Sequence, residues 1–314
     1  MNNPPCRRRP IIRRTVLIGL IVASAMTTGC RAIRRFGESR QAIAARRLSG
    51  QGFEAMHDGN WQDAETMFAD ALDVSQSDDR AHWGMAEANW QRGQTDAAIE
   101  HMRQAVRLSA GDPKLVRRLG RMYFDVGELE LADEHAVWAL QTARDSAESW
   151  ALRGDCLHAT GNATEALAAY HRALAYQPDY PDVQTHTAEI YYQDQRLDRC
   201  LAAIDRLHDA VGLDAATSDV DMLQGLALAQ LGRHDEARRC FVRASGKSPE
   251  DVDPHLQLAM LDSQFGRTEQ AAQSLQTALR LDPMCVPVDN PLRALLPGED
   301  RTRLAREEPL GLPY

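Results

Sequence analysis

Residues 147–180 read AESWALRGDCLHATGNATEALAAYHRALAYQPDY, and the spacing of small and large side chains in this stretch decides the fold. Two apolar-periodic segments of about a dozen residues flank Gly161, which is the layout of a helical hairpin. Trp150, Gly154 and Leu157 share one stripe of the first helix, and Ala166, Tyr170 and Ala173 face back from the second. Gly154 and Ala166 let the two helices approach closely, while Trp150 and Tyr170 fill the space beside them. Pro178 then stops the hairpin, because proline cannot continue a helix.

Working outward, the same hairpin recurs. Gly59, Gly93, Gly127, Gly161, Gly232 and Gly266 fall 34 residues apart except for one gap of 71. Each is followed five residues later by alanine: Ala64, Ala98, Ala132, Ala166, Ala237 and Ala271. The wider gap holds a degraded copy with Gln195 and Cys200 at the same two places, Leu207 further on, and three extra residues around Gly212 to Ser218. Seven repeats follow, at about 45–78, 79–112, 113–146, 147–180, 181–214, 218–251 and 252–285. A fixed period of this size means stacked supersecondary units, none of which can bury its apolar face alone. Abundant alanine, few aromatics and few prolines before residue 285 favour helix throughout, so the fold class is all-α.

The supporting positions recur in phase. Gly52, Ala86, Gly120, Gly154, Ala188, Gly225 and Ala259 hold a small first-helix position, and Phe68, Met102, Tyr170, Ile204, Phe241 and Leu275 a large second-helix one. Ala71, Ala105, Ala139, Ala173 and Ala278 recur late in the second helix, with Pro178, Pro249 and Pro283 as terminators. Over residues 45–285 this pattern resembles the tetratricopeptide repeat. The resemblance implies a right-handed α-solenoid of about seven helix-turn-helix repeats, with a concave groove lined by the first helices.

It also implies where a partner would touch, because ligand contacts in that family come from one face of each first helix. Mapped here, repeats two and three contribute Arg80, Trp83, Trp90, Lys114, Arg117, Arg121 and Phe124, with Arg118 beside them. Repeats four and five contribute the mainly acidic set Glu148, Asp155, His158, Asp182, Glu189 and Tyr192, and repeats six and seven contribute Met222, Leu226, Leu256 and Met260. Such a face suits an extended peptide or protein segment, since arginine and tryptophan often dominate interfaces. Lys114 and Arg118 match two positions of the family's carboxylate clamp, whereas Ser49, Phe53 and Gly84 stand at its other positions.

The formal charge is −9 and is unevenly spread. Residues 1–29 hold five arginines and no acid, residues 31–47 six arginines against Glu38, and the remainder 25 basic against 44 acidic residues. An acidic array of this kind makes a poor nucleic-acid binder, because phosphate contacts need clustered cations. Arg7, Arg8, Arg9, Arg13 and Arg14 precede an apolar run from Val16 to Met26, and Thr27, Thr28 and Gly29 lead to Cys30. This is the three-part layout of a secretory signal, and the run is shorter than the roughly 20 residues of a spanning helix. It resembles a bacterial lipoprotein signal covering residues 1–29, in which Cys30 would carry the lipid. Thr27 stands where that family has a large aliphatic residue, and ordinary cleavage nearby or an uncleaved anchor are the alternatives. Residues 30–44 would form a basic tether and 286–314 a proline-rich capping tail. The expected location is the periplasmic side of a bacterial membrane, with the outer membrane favoured by Arg31 after Cys30.

No phosphate loop, His-Glu-x-x-His motif or nucleophile elbow occurs, so no enzyme and no cofactor are expected. His158 and His186 would approach each other, but two imidazoles without a third ligand make no metal site, and none is expected. Cys156, Cys200, Cys240 and Cys285 fall at different places in different repeats and read as small buried hydrophobes. The expectation is a noncatalytic, lipid-anchored interaction scaffold that binds a protein or peptide. The alternative is a self-associating spacer within an envelope assembly such as secretion, pilus or peptidoglycan machinery.

Overall fold

The computed structural model describes residues 40–287 and 290–296. Cys30, the signal segment before it and most of the proline-rich tail lie outside the described residues. All regular structure among the described residues is helical, as the repeat pattern predicts. The helices are α1 (40–57), α2 (Trp61–Val74), α3 (Asp79–Gln91), α4 (Thr95–Leu108), α5 (Pro113–Asp125), α6 (Leu129–Thr142) and α7 (Ala147–Ala159). They continue with α8 (Ala163–Tyr176), α9 (Pro181–Gln193), α10 (Leu197–Val211), α11 (Ser218–Gln230), α12 (His234–Lys247), α13 (Val252–Gln264) and α14 (Thr268–Leu281), and a 3₁₀ turn follows at Pro291–Leu295. The chain divides after Arg144 into two compact units. Within each, odd- and even-numbered helices pair as antiparallel hairpins, and each hairpin packs on the next.

Local chemistry explains where helices start. Odd helices are opened by side-chain caps or proline: Asp78, Asp112, Ser146, Thr217 and Asp251 accept backbone N–H bonds, and Pro113 and Pro181 occupy first turns. Even helices follow a tight turn, and their N-cap side chains make no capping hydrogen bond. They carry an acid in the first turn instead, from Asp63 on α2 to Glu269 on α14, where the helix dipole favours negative charge. The turn needs a residue in the left-handed region, which Gly161 supplies at φ +80°. In the degraded repeat Gln195 adopts the same conformation at φ +59°, so the backbone turn survives loss of the glycine at a cost in strain.

The hairpin core is built from a matched pair. Phe68, Tyr170 and Phe241 are fully buried, and a Cβ added at Gly52, Gly154 or Gly225 would stand 2.4 to 2.6 Å from the facing ring. Where the second helix offers aliphatic Met102, Ile204 or Leu275, the first carries Ala86, Ala188 or Ala259. In six of the seven repeats glycine thus faces an aromatic and alanine an aliphatic, which keeps the combined volume between the helices nearly constant, and the third repeat departs with Gly120 in register with buried Ala136. The recurring alanines, and Cys200 in their place, are fully buried. Cys156, Cys200, Cys240 and Cys285 are free thiols, and burial pushes Cys200 up to about 12, so it behaves as a small hydrophobe.

In the second compact unit, one buried carboxylate braces a hairpin internally and another ties two hairpins together. Asp221 on α11 is held by Arg243 and Lys247 of α12, each at 2.7 Å. Asp262 on α13 is held by Arg238 at 2.8 Å and Arg267 at 3.2 Å. Lys247 also donates to the carbonyls of Leu213 and Ala216 at 2.8 and 2.7 Å, pinning the long connection after α10. At the far end Leu296 and Val286 are buried against Leu275 and Leu279, so the segment after α14 closes the last hairpin.

Candidate functional site

In the first compact unit the odd helices α1, α3 and α5 meet on one face. Phe53 packs on Trp83 with ring centroids 4.8 Å apart, and the Arg80 guanidinium lies 5.6 Å from the Phe53 centroid. Trp83 donates its indole N–H to Glu87 Oε1 at 3.1 Å. Arg118 reaches from α5 to the same carboxylate, with Nε and Nη2 donating at 2.8 and 2.6 Å, and its guanidinium sits 5.6 Å from the Trp90 ring. The hydrogen bond to Glu87 raises the Arg118 pKa further, and the bidentate pair is largely shielded, with side chains 28% and 17% exposed. Arg121 lies 3.7 Å from Asp125 and 5.2 Å from the Phe124 centroid. Arg80 and Lys114 are exposed, and Arg117 and Phe124 half-buried.

Glu87 is the residue that reading the sequence missed. It sits one turn after Trp83 and 31 residues before Arg118, and it neutralises the cation that the clamp comparison singled out. The other clamp positions are used for packing: Ser49 is buried and donates to Asp78, and Gly84 lies against the Phe68 ring. The face is therefore an aromatic strip crossed by guanidinium groups, with Arg80, Lys114 and Arg121 outermost.

In the second compact unit the acidic set from α7 and α9 comes together around a histidine. Tyr170 of α8 donates its hydroxyl to Asp155 Oδ1 at 2.9 Å, and its ring stacks on His186 with centroids 5.9 Å apart. Burial, then the Asp155 charge, raises the Tyr170 pKa, so the phenol stays a neutral donor. His186 Nδ1 lies 3.2 Å from Glu189 Oε2 and His186 Nε2 lies 4.0 Å from Asp155 Oδ1. The Glu189 hydrogen bond, opposed by burial, raises the His186 pKa. His158 faces His186 at a centroid distance of 6.3 Å. One ligand atom each of His158, His186 and Glu189 lies within 4.8 Å of the others, which corrects the expectation that the two imidazoles lack a third ligand. The spacing of His186 and Glu189 places both on one turn of α9, a signal present in the sequence. Glu148 and Asp182 are exposed in the first turns of α7 and α9.

Tyr192 accepts a hydrogen bond from Gln230 Nε2 at 2.8 Å, linking α9 to α11. Met222 and Leu226 pack partly into the core below, and Leu256 packs with the closing segment. Of the four apolar residues assigned to this end, Met260 is the exposed one, at 48%.

Two family models, both described as tetratricopeptide repeat, match residues 51–113, 117–181 and 197–252, and residues 157–218 and 228–294. The chain belongs to the tetratricopeptide-repeat family. Among curated proteins it is 27% identical over 240 residues to cellulose synthase operon protein C of Xanthomonas axonopodis pv. citri (strain 306), covering 71% of this chain and 16% of that one. It is 23% identical over 205 residues to interferon-induced protein with tetratricopeptide repeats 3 of Mus musculus, covering 60% of this chain and 51% of that one. The chain thus spans about one-sixth and about half of these relatives' lengths. Among solved structures, PilF of Pseudomonas aeruginosa aligns with a TM-score of 0.62 at 15% identity, covering 68% of this chain and 96% of that one. PilW, described as a widely conserved type IV pilus biogenesis factor, aligns with a TM-score of 0.59 at 19% identity, covering 65% of this chain and 94% of that one. At such identities the likeness is one of fold.

Proposed function

We propose that this chain is a noncatalytic scaffold that binds a partner protein segment across the odd-helix face of its first compact unit. The observation that carries the proposal is the strip of Phe53, Trp83, Trp90 and Phe124 on three consecutive hairpins, crossed by Arg80, Arg118 and Arg121. Aromatic and arginine side chains on rigid helices offer large contact area at small entropic cost, which is what a binding face needs. The outward cations favour an acidic segment, and aromatic rings beside them supply apolar contact. PilF and PilW share the fold, and the PilW description as a pilus biogenesis factor is in keeping with an assembly role in a cell envelope.

The same reading holds the chain at a bacterial membrane through a lipid on Cys30, with residues 30–44 as a basic tether against anionic lipid on the periplasmic side. No helix among the described residues is long and apolar enough to cross a membrane. Mass spectrometry of a membrane extract checks the anchor: an acylated chain beginning at Cys30 supports it, and any other first residue removes it.

The binding proposal is tested by affinity capture from envelope extracts with the wild-type chain and with Arg117, Arg118 and Arg121 all changed to glutamate. Circular dichroism verifies that the variant stays helical. The partner recovered by wild type should be lost from the variant, and equal recovery would eliminate this face.

A further inference from the structure

We propose that His158, His186 and Glu189 form a binding site for a divalent transition-metal ion of the zinc class. Two imidazoles and one carboxylate are a donor set that such ions take, and hard cations such as calcium do not favour it. The three ligand atoms already lie within 4.8 Å of one another. His186 Nδ1 and Glu189 Oε2 are 3.2 Å apart, close to the roughly 3.3 Å between two ligands held about 2.0–2.1 Å from a tetrahedral ion. Little movement is needed on α9, and closing the site falls to the half-buried His158 side chain on α7.

The surroundings are arranged as metal sites commonly are. Asp155 Oδ1, fixed by the Tyr170 hydroxyl, faces His186 Nε2 at 4.0 Å, on the other side of the ring from Glu189. At 4.0 Å this is not a hydrogen bond, but an approach of about 1 Å as the ring turns onto a metal would let the carboxylate accept from the second nitrogen, the contact that orients a metal-bound imidazole. Asp155 precedes His158 by three residues and His186 precedes Glu189 by three, so two helices present matched acid and imidazole pairs. Asp182, one turn before His186, adds negative charge to the approach. Three protein ligands leave the fourth position to water.

An ordinary ion pair between His186 and Glu189 would give the same 3.2 Å contact, but it would not depend on His158. The test is a titration of the full-length chain with Co²⁺, followed by displacement with Zn²⁺. One Co²⁺ per chain should bind, with the visible bands of a tetrahedral nitrogen and oxygen site and without thiolate charge transfer. His158→Ala, His186→Ala and Glu189→Gln should each weaken binding roughly tenfold or more, whereas His135→Ala should leave it unchanged. Glu189 is 40% exposed, so its variant tests the site without disturbing the core. Absence of bound Co²⁺ in the wild type, binding that survives loss of both histidines, or thiolate bands would each overturn the proposal.

Discussion

At Gln195 a long side chain occupies a turn that the other hairpins give to glycine. The left-handed conformation costs a non-glycine residue about 1–2 kcal/mol, whereas glycine there costs about 0.5–1 kcal/mol in backbone freedom. Gln195→Gly is therefore expected to stabilise the chain by about 0.5–1 kcal/mol, read as a higher urea midpoint; a lower midpoint would mean that the side chain contributes more than its strain. His101 lies with its Nδ1 3.0 Å from His82 Nδ1, and burial, then the His82 charge, lowers its pKa. A histidine that resists protonation when folded takes up its proton more readily when unfolded. Its contribution is level above the unfolded value near 6.5 and turns destabilising as pH falls below it. Urea midpoints should thus drop between pH 7.5 and 5.5 by less in His101→Gln than in wild type, while an equal drop would remove His101 from the account. His171 and His208 are lowered by burial as well, so the slope shrinks without vanishing.

At the scale of the helix, the pairing of glycine with an aromatic and alanine with an aliphatic makes a prediction that neither residue makes alone. A Cβ at Gly154 would sit 2.4 Å from the Tyr170 ring, which is itself fixed by its bond to Asp155. Gly154→Ala should cost about 1–3 kcal/mol by overpacking, against about 1 kcal/mol gained in helix propensity. Adding Tyr170→Ile, which copies the Ala188 and Ile204 pair, should recover part of the loss in a double-mutant cycle. No recovery would show that the two positions are independent. Asp262→Ala strands Arg238 and Arg267, which are about one-third exposed, so the expected loss in chemical denaturation is about 2–3 kcal/mol rather than the full buried-charge penalty. The helices themselves were legible because small and large residues recur in phase, and Gln195 announced itself by breaking that phase. Asp221 and Asp262 were not, since nothing along the chain distinguishes an acid that will be buried against arginines 22 to 24 residues later or earlier from one on a solvated face.

At the scale of the molecule, the repeat register placed the proposed contact residues on the odd helices. Their charge pairing could not be read from it. The sequence shows Arg118 beside Arg117 and Arg121, but not that Glu87 from the preceding hairpin accepts from its Nε and Nη2, leaving Arg80, Lys114 and Arg121, the last 3.7 Å from Asp125, as the outward charges. The approach of His158 to His186 was legible in the repeat register, whereas Glu189, one turn after His186, was passed over as the third ligand. The claim on which the rest turns is that partners meet the odd helices and not the even ones. Photo-crosslinking amino acids placed singly at exposed Arg80 and Lys114, and at exposed Arg103 and Glu134 on α4 and α6, would test it in intact cells. The account predicts a discrete crosslinked product from Arg80 and Lys114 and none from Arg103 and Glu134; products from the even helices alone, or equally from both faces, would contradict it.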